Sequence, residues 1–326
     1  MLSRVANAIY WLNVYIERAE NYARFIDVNL NLTLDLPYGT KEQWDPLVSI
    51  TGDTKFFKDL YGVASKENVI NFLAASPANP NSILSCLTSA RENARTVREI
   101  ISSEMWELVN KFYLSVKEEI SSGRAIQNPH VFFMEVKQSS HLFCGIMEAT
   151  MSHGEGWHFG RLGRLLERAD KTSRILDVKY FILLPETENV GTPFDNIQWS
   201  ALLKSSSALE MYRKQYGPIT PSHVAEFLLL NQNFPRAIRY CLVKAQESLQ
   251  SITGSKLGTF FNTAEKRLGR LRGELDYSDI NEIIAGGLHE FLDEFQTRLN
   301  KVGDAIYETF FAMHPKEETL IKGDSQ

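Results

Sequence analysis

Residues 16–30 read IERAENYARFIDVNL, and residues 166–180 read LERADKTSRILDVKY. With an offset of 150, Glu17, Arg18, Ala19, Arg24, Asp27 and Val28 recur as Glu167, Arg168, Ala169, Arg174, Asp177 and Val178. On a 3.6-residue helix Leu12, Ile16, Ala19, Ala23 and Ile26 form an apolar stripe, and Asn13, Glu17, Glu20, Arg24 and Asp27 form a polar face. The segment therefore predicts a long amphipathic helix that opens each half of the chain.

The repetition extends outward. With an offset of 155, Gln43-Trp44, Tyr61-Gly62 and Phe72-Leu73 recur as Gln198-Trp199, Tyr216-Gly217 and Phe227-Leu228. Pro80, Ile83 and Cys86-Leu87 recur as Pro235, Ile238 and Cys241-Leu242. Leu36-Pro37 and Leu184-Pro185 are expected to stop the two opening helices, because a proline disfavours helix in the residue before it. Strand-like alternation is scarce. The expectation is an all-α protein whose halves, 1–152 and 153–326, are pseudo-repeats packed into one body. After the opening helix, helices are expected over 41–51, 54–61, 66–75, 80–120 and 130–152. In the second half they are expected over 195–213, 221–230, 233–253, 258–275 and 278–312. Ser65, Ser82 and the Pro221-Ser222 pair are candidate starts, and the polar tail after Met313 is expected to fray.

Composition bounds the function. The 326 residues are 44% hydrophobic and 23% charged, as expected of a folded globular chain. A net charge of −5 argues against a general nucleic-acid binder. No apolar stretch is long enough to span a bilayer, and Arg4, Asn7 and Asn13 interrupt the N-terminal apolar spacing that a signal peptide would need. Three widely spaced cysteines make neither a disulfide framework nor a zinc site, so a cytoplasmic location is expected.

Several groups could carry chemistry. Glu20–Arg24, Asp170–Arg174 and Glu167–Lys171 are i,i+4 pairs in the favourable orientation, which predicts helix-surface salt bridges. Adjacent helical residues do not face each other, so Glu17, Arg18, Glu167 and Arg168 need partners elsewhere, either in the other half or in a ligand. Arg18 lies beside Trp11, Val14 and Phe25, where a stacked guanidinium could aim at a carboxylate. Gly160 and Gly163 share the Glu167 face and would admit another backbone or a ligand. Arg161 and Arg164 add positive charge there.

Residues 139–161 gather His141, Glu148, His153, Glu155 and His158. Glu155-x-x-His158 fits one element of a di-iron bundle site, but no second copy exists, so no metal is expected. Arg91, Arg95 and Arg98, with Arg236 and Arg239 on the counterpart helix, either form a solvated face or close on the Glu-Arg helices as a basic pocket. No phosphate-binding loop or nucleophile elbow is present.

The stretches MLSRVAN (1–7), YIERAEN (15–21), NPNSILSCL (79–87), SSEMWE (102–107), ATMSHGEGW (149–157) and VAEFLLL (224–230), with LERADKTSRILDVKY, resemble the bacterial alpha-E family. That family is named for its helical content and its Glu-Arg motif, and the resemblance runs from Met1 to about Phe311. It implies a place beside a circularly permuted ATP-grasp protein, often with a transglutaminase-like protein nearby, and so a part in ATP-dependent amide-bond formation or peptide modification. Carried over, the motif falls on Glu17-Arg18 and Glu167-Arg168. Two roles follow, beside that of a purely structural scaffold. The chain could be a non-catalytic partner that presents a peptide or amino acid to the ligase, with ATP and Mg held by that ligase and no cofactor of its own. It could instead act on the product by hydrolysis or transfer. Glu17, Glu167, His153 and Glu155 would then be the acid–base candidates. Arg18, Arg168, Arg24, Arg174, Arg161, Arg164 and Arg91 would be the ligand-holding ones.

Overall fold

A computed structural model describes residues 1–34, 43–182 and 193–312. Among them lie sixteen α-helices and no strand, so the chain is all-α. The first eight are α1 (Ser3–Leu34), α2 (Asp45–Thr51), α3 (Thr54–Tyr61), α4 (Lys66–Ile70), α5 (Ile83–Thr96), α6 (Ser103–Ser121), α7 (Arg124–Gln127) and α8 (Pro129–Thr150). The next eight are α9 (Glu155–Ile182), α10 (Pro193–Ser205), α11 (Leu209–Tyr216), α12 (Pro221–Leu230), α13 (Ile238–Thr253), α14 (Thr263–Asp276), α15 (Ile280–Gly286) and α16 (Leu288–Ile306). Short π-helical turns, Asn71–Ala75 and Tyr307–Phe311, follow α4 and α16. None of these helices is long and apolar enough to cross a membrane.

Helices α1 and α9 pack against each other at the centre. Around α1 lie α5, α8 and α10; around α9 lie α13, α16 and α2. Two hydrophobic clusters result, and the central helices interlock them. Ala6, Tyr10 and Val14 of α1 enter the cluster built by α9–α16, while Trp157 and Ile175 of α9 enter the one built by α1–α8. The closest approach falls at two glycines. A Cβ on Gly163 would stand 2.7 Å from the Tyr10 carbonyl oxygen, and one on Gly160 would stand 2.5 Å from Asn13 Nδ2. The sequence left open whether these glycines admit a backbone or a ligand; what they admit is α1.

Several boundaries differ from the expected ones, each for a local reason. The expected 80–120 helix is two: α5 stops at Thr96, and the Ser102 hydroxyl starts α6 by accepting the Met105 N–H at 3.2 Å. The expected 195–213 helix breaks at Ser207, whose φ of 50° is left-handed. The 278–312 helix breaks at Gly287, with φ of 100°. The cap of α12 is Thr220, which accepts from His223 N, with Pro221 as first helical residue. Ser65 and Ser82 are caps as expected. The stops at Leu36-Pro37 and Leu184-Pro185, and the tail after Met313, lie outside the described residues.

Candidate functional site

The two Glu-Arg pairs meet where α1 crosses α9. Arg18 donates from Nε to Glu167 Oε1 at 2.7 Å and from Nη2 to Oε2 at 2.8 Å. Arg168 does the same to Glu17, at 2.8 and 2.7 Å. Each half thus supplies the carboxylate for the other half's guanidinium, in the bidentate geometry that makes such pairs strong. Arg18 Nη1 donates further to Asn81 Oδ1 at 2.6 Å, and Arg168 Nη1 to the Pro235 carbonyl at 3.4 Å.

Around this crossing lies a larger network. Asn21 donates to Glu17 Oε1 at 3.1 Å, and Arg236 Nη1 reaches Glu17 Oε1 at 3.4 Å and Asn21 Oδ1 at 3.0 Å. Glu20 is gripped by Arg24, by Arg236 Nη2 and, at 3.0 Å, by His141 Nε2. On α9, Lys171 lies 2.8 Å from Asp170 Oδ2 and 3.3 Å from Glu167 Oε1, and Arg174 Nε donates to both Asp170 oxygens.

Two of the three expected surface pairs are therefore buried, and the third, Asp170–Arg174, is half-buried. Glu20 is 1% and Arg24 5% exposed, and Glu167 and Lys171 are buried as well. Their polar face is covered because α1 and α9 are packed on several sides.

Burial alone would push these carboxyls toward protonation. For Glu17 the Arg168 and Arg236 guanidiniums outweigh it, and for Glu167 Arg18 and Lys171 do, so both stay below the ordinary range. Glu20 and Asp170 are depressed by the same balance of burial against neighbouring cations. In turn Arg18 and Arg168, which burial would lower, are held well above the usual arginine value by their carboxylates. A permanently ionised, doubly hydrogen-bonded carboxylate cannot act as a general acid, and its lone pairs are committed.

The remaining candidates disperse. Glu155 stands at the start of α9, paired with the Met1 ammonium at 2.6 Å and 41% exposed. Glu167 is twelve residues further along that helix, about 18 Å away. His153 stacks on Trp157 at 4.1 Å and contacts the Glu148 carbonyl at 3.2 Å. The proposed acid–base set of His153, Glu155 and Glu167 is thus not assembled. Arg161 lies over Trp157 and 3.6 Å from Glu247, and Arg164 keeps a buried Nε with no hydrogen-bond partner among the described residues. Arg91 does not close on the crossing. It donates to Asn110 at 2.7 Å and lies over Tyr113, bracing α5 on α6. Arg24 and Arg174 do belong to the network. Arg236 closes on the network as one of the two readings of its helix expected, while Arg239 instead pairs with Asp276. Asn81 and His141 belong to the network too, and only their places at a helix start and on an apposed helix could have signalled that. Among the described residues no group of three or more His, Cys, Asp or Glu side chains could hold a metal.

An open cavity of about 630 Å³ adjoins the α9 side of the crossing. Arg18, Glu167, Asp170, Lys171 and Arg174 form its polar wall, Tyr10, Trp11 and Val14 its α1 wall, and Asn300, Gly303, Asp304 and Tyr307 the facing wall at the end of α16.

With this geometry in place, the comparisons are specific. Residues 1–311 match a family described as a predicted alpha-helical domain with a conserved ER motif, alpha-E. The chain belongs to the alpha-E family. The chain's two Glu-Arg dipeptides, Glu17-Arg18 and Glu167-Arg168, are the reciprocal pairs of the crossing. Among curated relatives, an uncharacterized protein of Mycobacterium bovis is 21% identical over 341 aligned residues, covering 95% of this chain and 37% of the relative. An uncharacterized protein of Mycobacterium tuberculosis is 20% identical over the same shares. The chain thus spans little more than a third of the length of the curated relatives it matches. No solved structure matches the chain.

Proposed function

We propose that the chain is an accessory partner of an amide-forming ATP-grasp ligase, presenting a peptide or amino-acid substrate and leaving ATP and Mg to the ligase. One observation carries the reading: both motif carboxylates are locked in reciprocal bidentate pairs, buried and ionised, so the residues that define the family hold the fold instead of turning over substrate. The relatives support it in a second way. They carry this domain within chains of which it is about 37%, so a larger region accompanies it there in cis. The resemblance to alpha-E suggests a circularly permuted ATP-grasp protein as the ligase, with a transglutaminase-like protein as a third component. Such a complex would work in the cytoplasm, where ATP is available.

The test is reconstitution. The purified chain, the ATP-grasp protein of the same organism and the mixture are supplied with ATP, Mg and amino acids, and ADP release and amide products are followed. Product from the mixture and not from this chain alone is expected. Hydrolysis or transfer by the isolated chain, lost in Glu155→Gln with the fold intact, would overturn the proposal.

A further inference from the structure

The geometry points to the cavity between α1, α9 and the end of α16 as a binding site for a zwitterionic α-amino acid with an apolar or aromatic side chain. This rests on, and deepens, the substrate-presenting role proposed above.

The first argument is an asymmetry around the crossing. On the α1 side, Glu20 is covered by Arg236 and His141, so the chain fills that space with its own side chains. With the 155-residue offset that aligns Pro80 with Pro235, Arg236 falls on Asn81. His130 pairs with Asp27, and His289 with Asp177, which aligns α8 on α16 with an offset of 159. In that register His141 falls on Asn300. Asn81 and Asn300 both line the cavity. Two long side chains that close one side are thus two short amides on the other, and the volume they leave is open.

The second argument is charge. The polar wall holds two acids, Glu167 and Asp170 of α9, and three cations, Arg18 of α1 with Lys171 and Arg174 of α9. One positive charge is left over. It is available at Arg174, whose Nε serves Asp170 while its two Nη atoms make no hydrogen bond among the described residues. Across the cavity Asp304 adds one exposed carboxylate with no side-chain hydrogen bond or ion pair among the described residues. The Nη fork of Arg174 on one wall and the Asp304 carboxylate on the other, both without hydrogen bonds among the described residues, suit a ligand bearing one carboxylate and one ammonium. A polyanion would meet Asp304 unfavourably. Trp11, Tyr10 and Tyr307 supply aromatic surface for an apolar side chain and for the ammonium. A volume of about 630 Å³ falls within the usual range of small-molecule sites.

The isolated chain can be tested by titration calorimetry with L-phenylalanine and L-leucine, N-acetyl-L-phenylalanine, L-phenylalaninamide and inorganic phosphate. One saturable site for the free amino acids is expected, with either capped form weaker by at least about tenfold, the scale of a hydrogen bond to a charged group. Arg174→Gln should erase the preference for the free carboxylate, and Asp304→Asn the preference for the free amine. Gly303→Leu is the control for blocking: a Cβ there meets nothing within 4 Å, so the side chain enters the cavity without touching the core. It should abolish binding without lowering the melting temperature. No binding of either amino acid at millimolar concentration, capped forms binding as well as free ones, phosphate binding more tightly, or binding unaffected by Gly303→Leu would each overturn the inference. None of these outcomes depends on the ligase. A failed reconstitution with intact binding would therefore remove the partner and leave the site, and the reverse result would remove the site and leave the partner.

Discussion

Arg18 and Glu167, 149 residues apart in sequence, face each other through two hydrogen bonds of 2.7 and 2.8 Å across the central helix crossing. Arg168 and Glu17 return the same grip in the opposite sense. Breaking a buried pair by removing one partner leaves an uncompensated charge, at a typical cost of about 3–5 kcal/mol. The motif is therefore placed where loss of one side chain threatens the whole body.

The glycines that let the helices approach should be intolerant in a graded way. Gly163→Ala would set a Cβ 2.7 Å from the Tyr10 carbonyl, backbone that cannot swing aside. A loss of about 1–3 kcal/mol is expected from overpacking, despite the better helix propensity of alanine. Gly303→Ala, with open space around it, should instead gain up to about 1 kcal/mol. Urea denaturation of the two variants checks the contrast.

Stability should be lost in acid. Glu17, Glu20, Glu167 and Asp170 have folded-state pKa values below their unfolded ones, so as pH falls the unfolded state takes up protons before the folded state does. Their contribution is fully present above about pH 5 and is lost as pH drops below about 4 through the folded values. His289, raised by its hydrogen bond to Asp177, acts with the opposite sign: its contribution is present below about pH 6 and fades as pH rises through its folded value. Unfolding free energies across this range check both limbs. A rise in stability from pH 5 to pH 3 would contradict the carboxylate assignment.

The paired cysteines should be inert. Cys86 and Cys241 are fully buried, and burial pushes each thiol up to about 12. In the folded protein at pH 8, alkylation followed by peptide mass spectrometry should leave both unmodified, with any label confined to Cys144. Denaturant should expose all three. Rapid labelling of Cys86 or Cys241 in the native state would show that the ends of α5 and α13 open readily.

Much of the fold was legible in the sequence, because the apolar stripe of α1, the Glu-Arg recurrence and the caps Ser65 and Ser82 are local signals. The breaks at Ser102, Ser207 and Gly287 were not. A serine cap inside a long periodic stretch, or a left-handed residue between two helices, barely disturbs the apolar spacing. For the site, the requirement that Glu17, Arg18, Glu167 and Arg168 find partners elsewhere follows from helix geometry, and the partners are each other. The burial of Glu20 and Arg24 was invisible, since the pattern of one helix reports its polar face but not the helices that cover it. Arg236 was legible as a candidate to close on the Glu-Arg helices, and it does; His141 as a member was not, because it reaches Glu20 from 121 residues away.

The most direct test is a double-mutant cycle on Arg18 and Glu167, measured by denaturant unfolding. Arg18→Met and Glu167→Met should each cost about 3–5 kcal/mol. The double variant should cost less than the sum by about 1–3 kcal/mol, and any amide formation reconstituted with the proposed ATP-grasp partner should persist wherever the double variant is folded. Single variants that keep full stability yet lose that amide formation would contradict the account, because the Glu-Arg pairs would then be reacting groups and not the lock between the two halves.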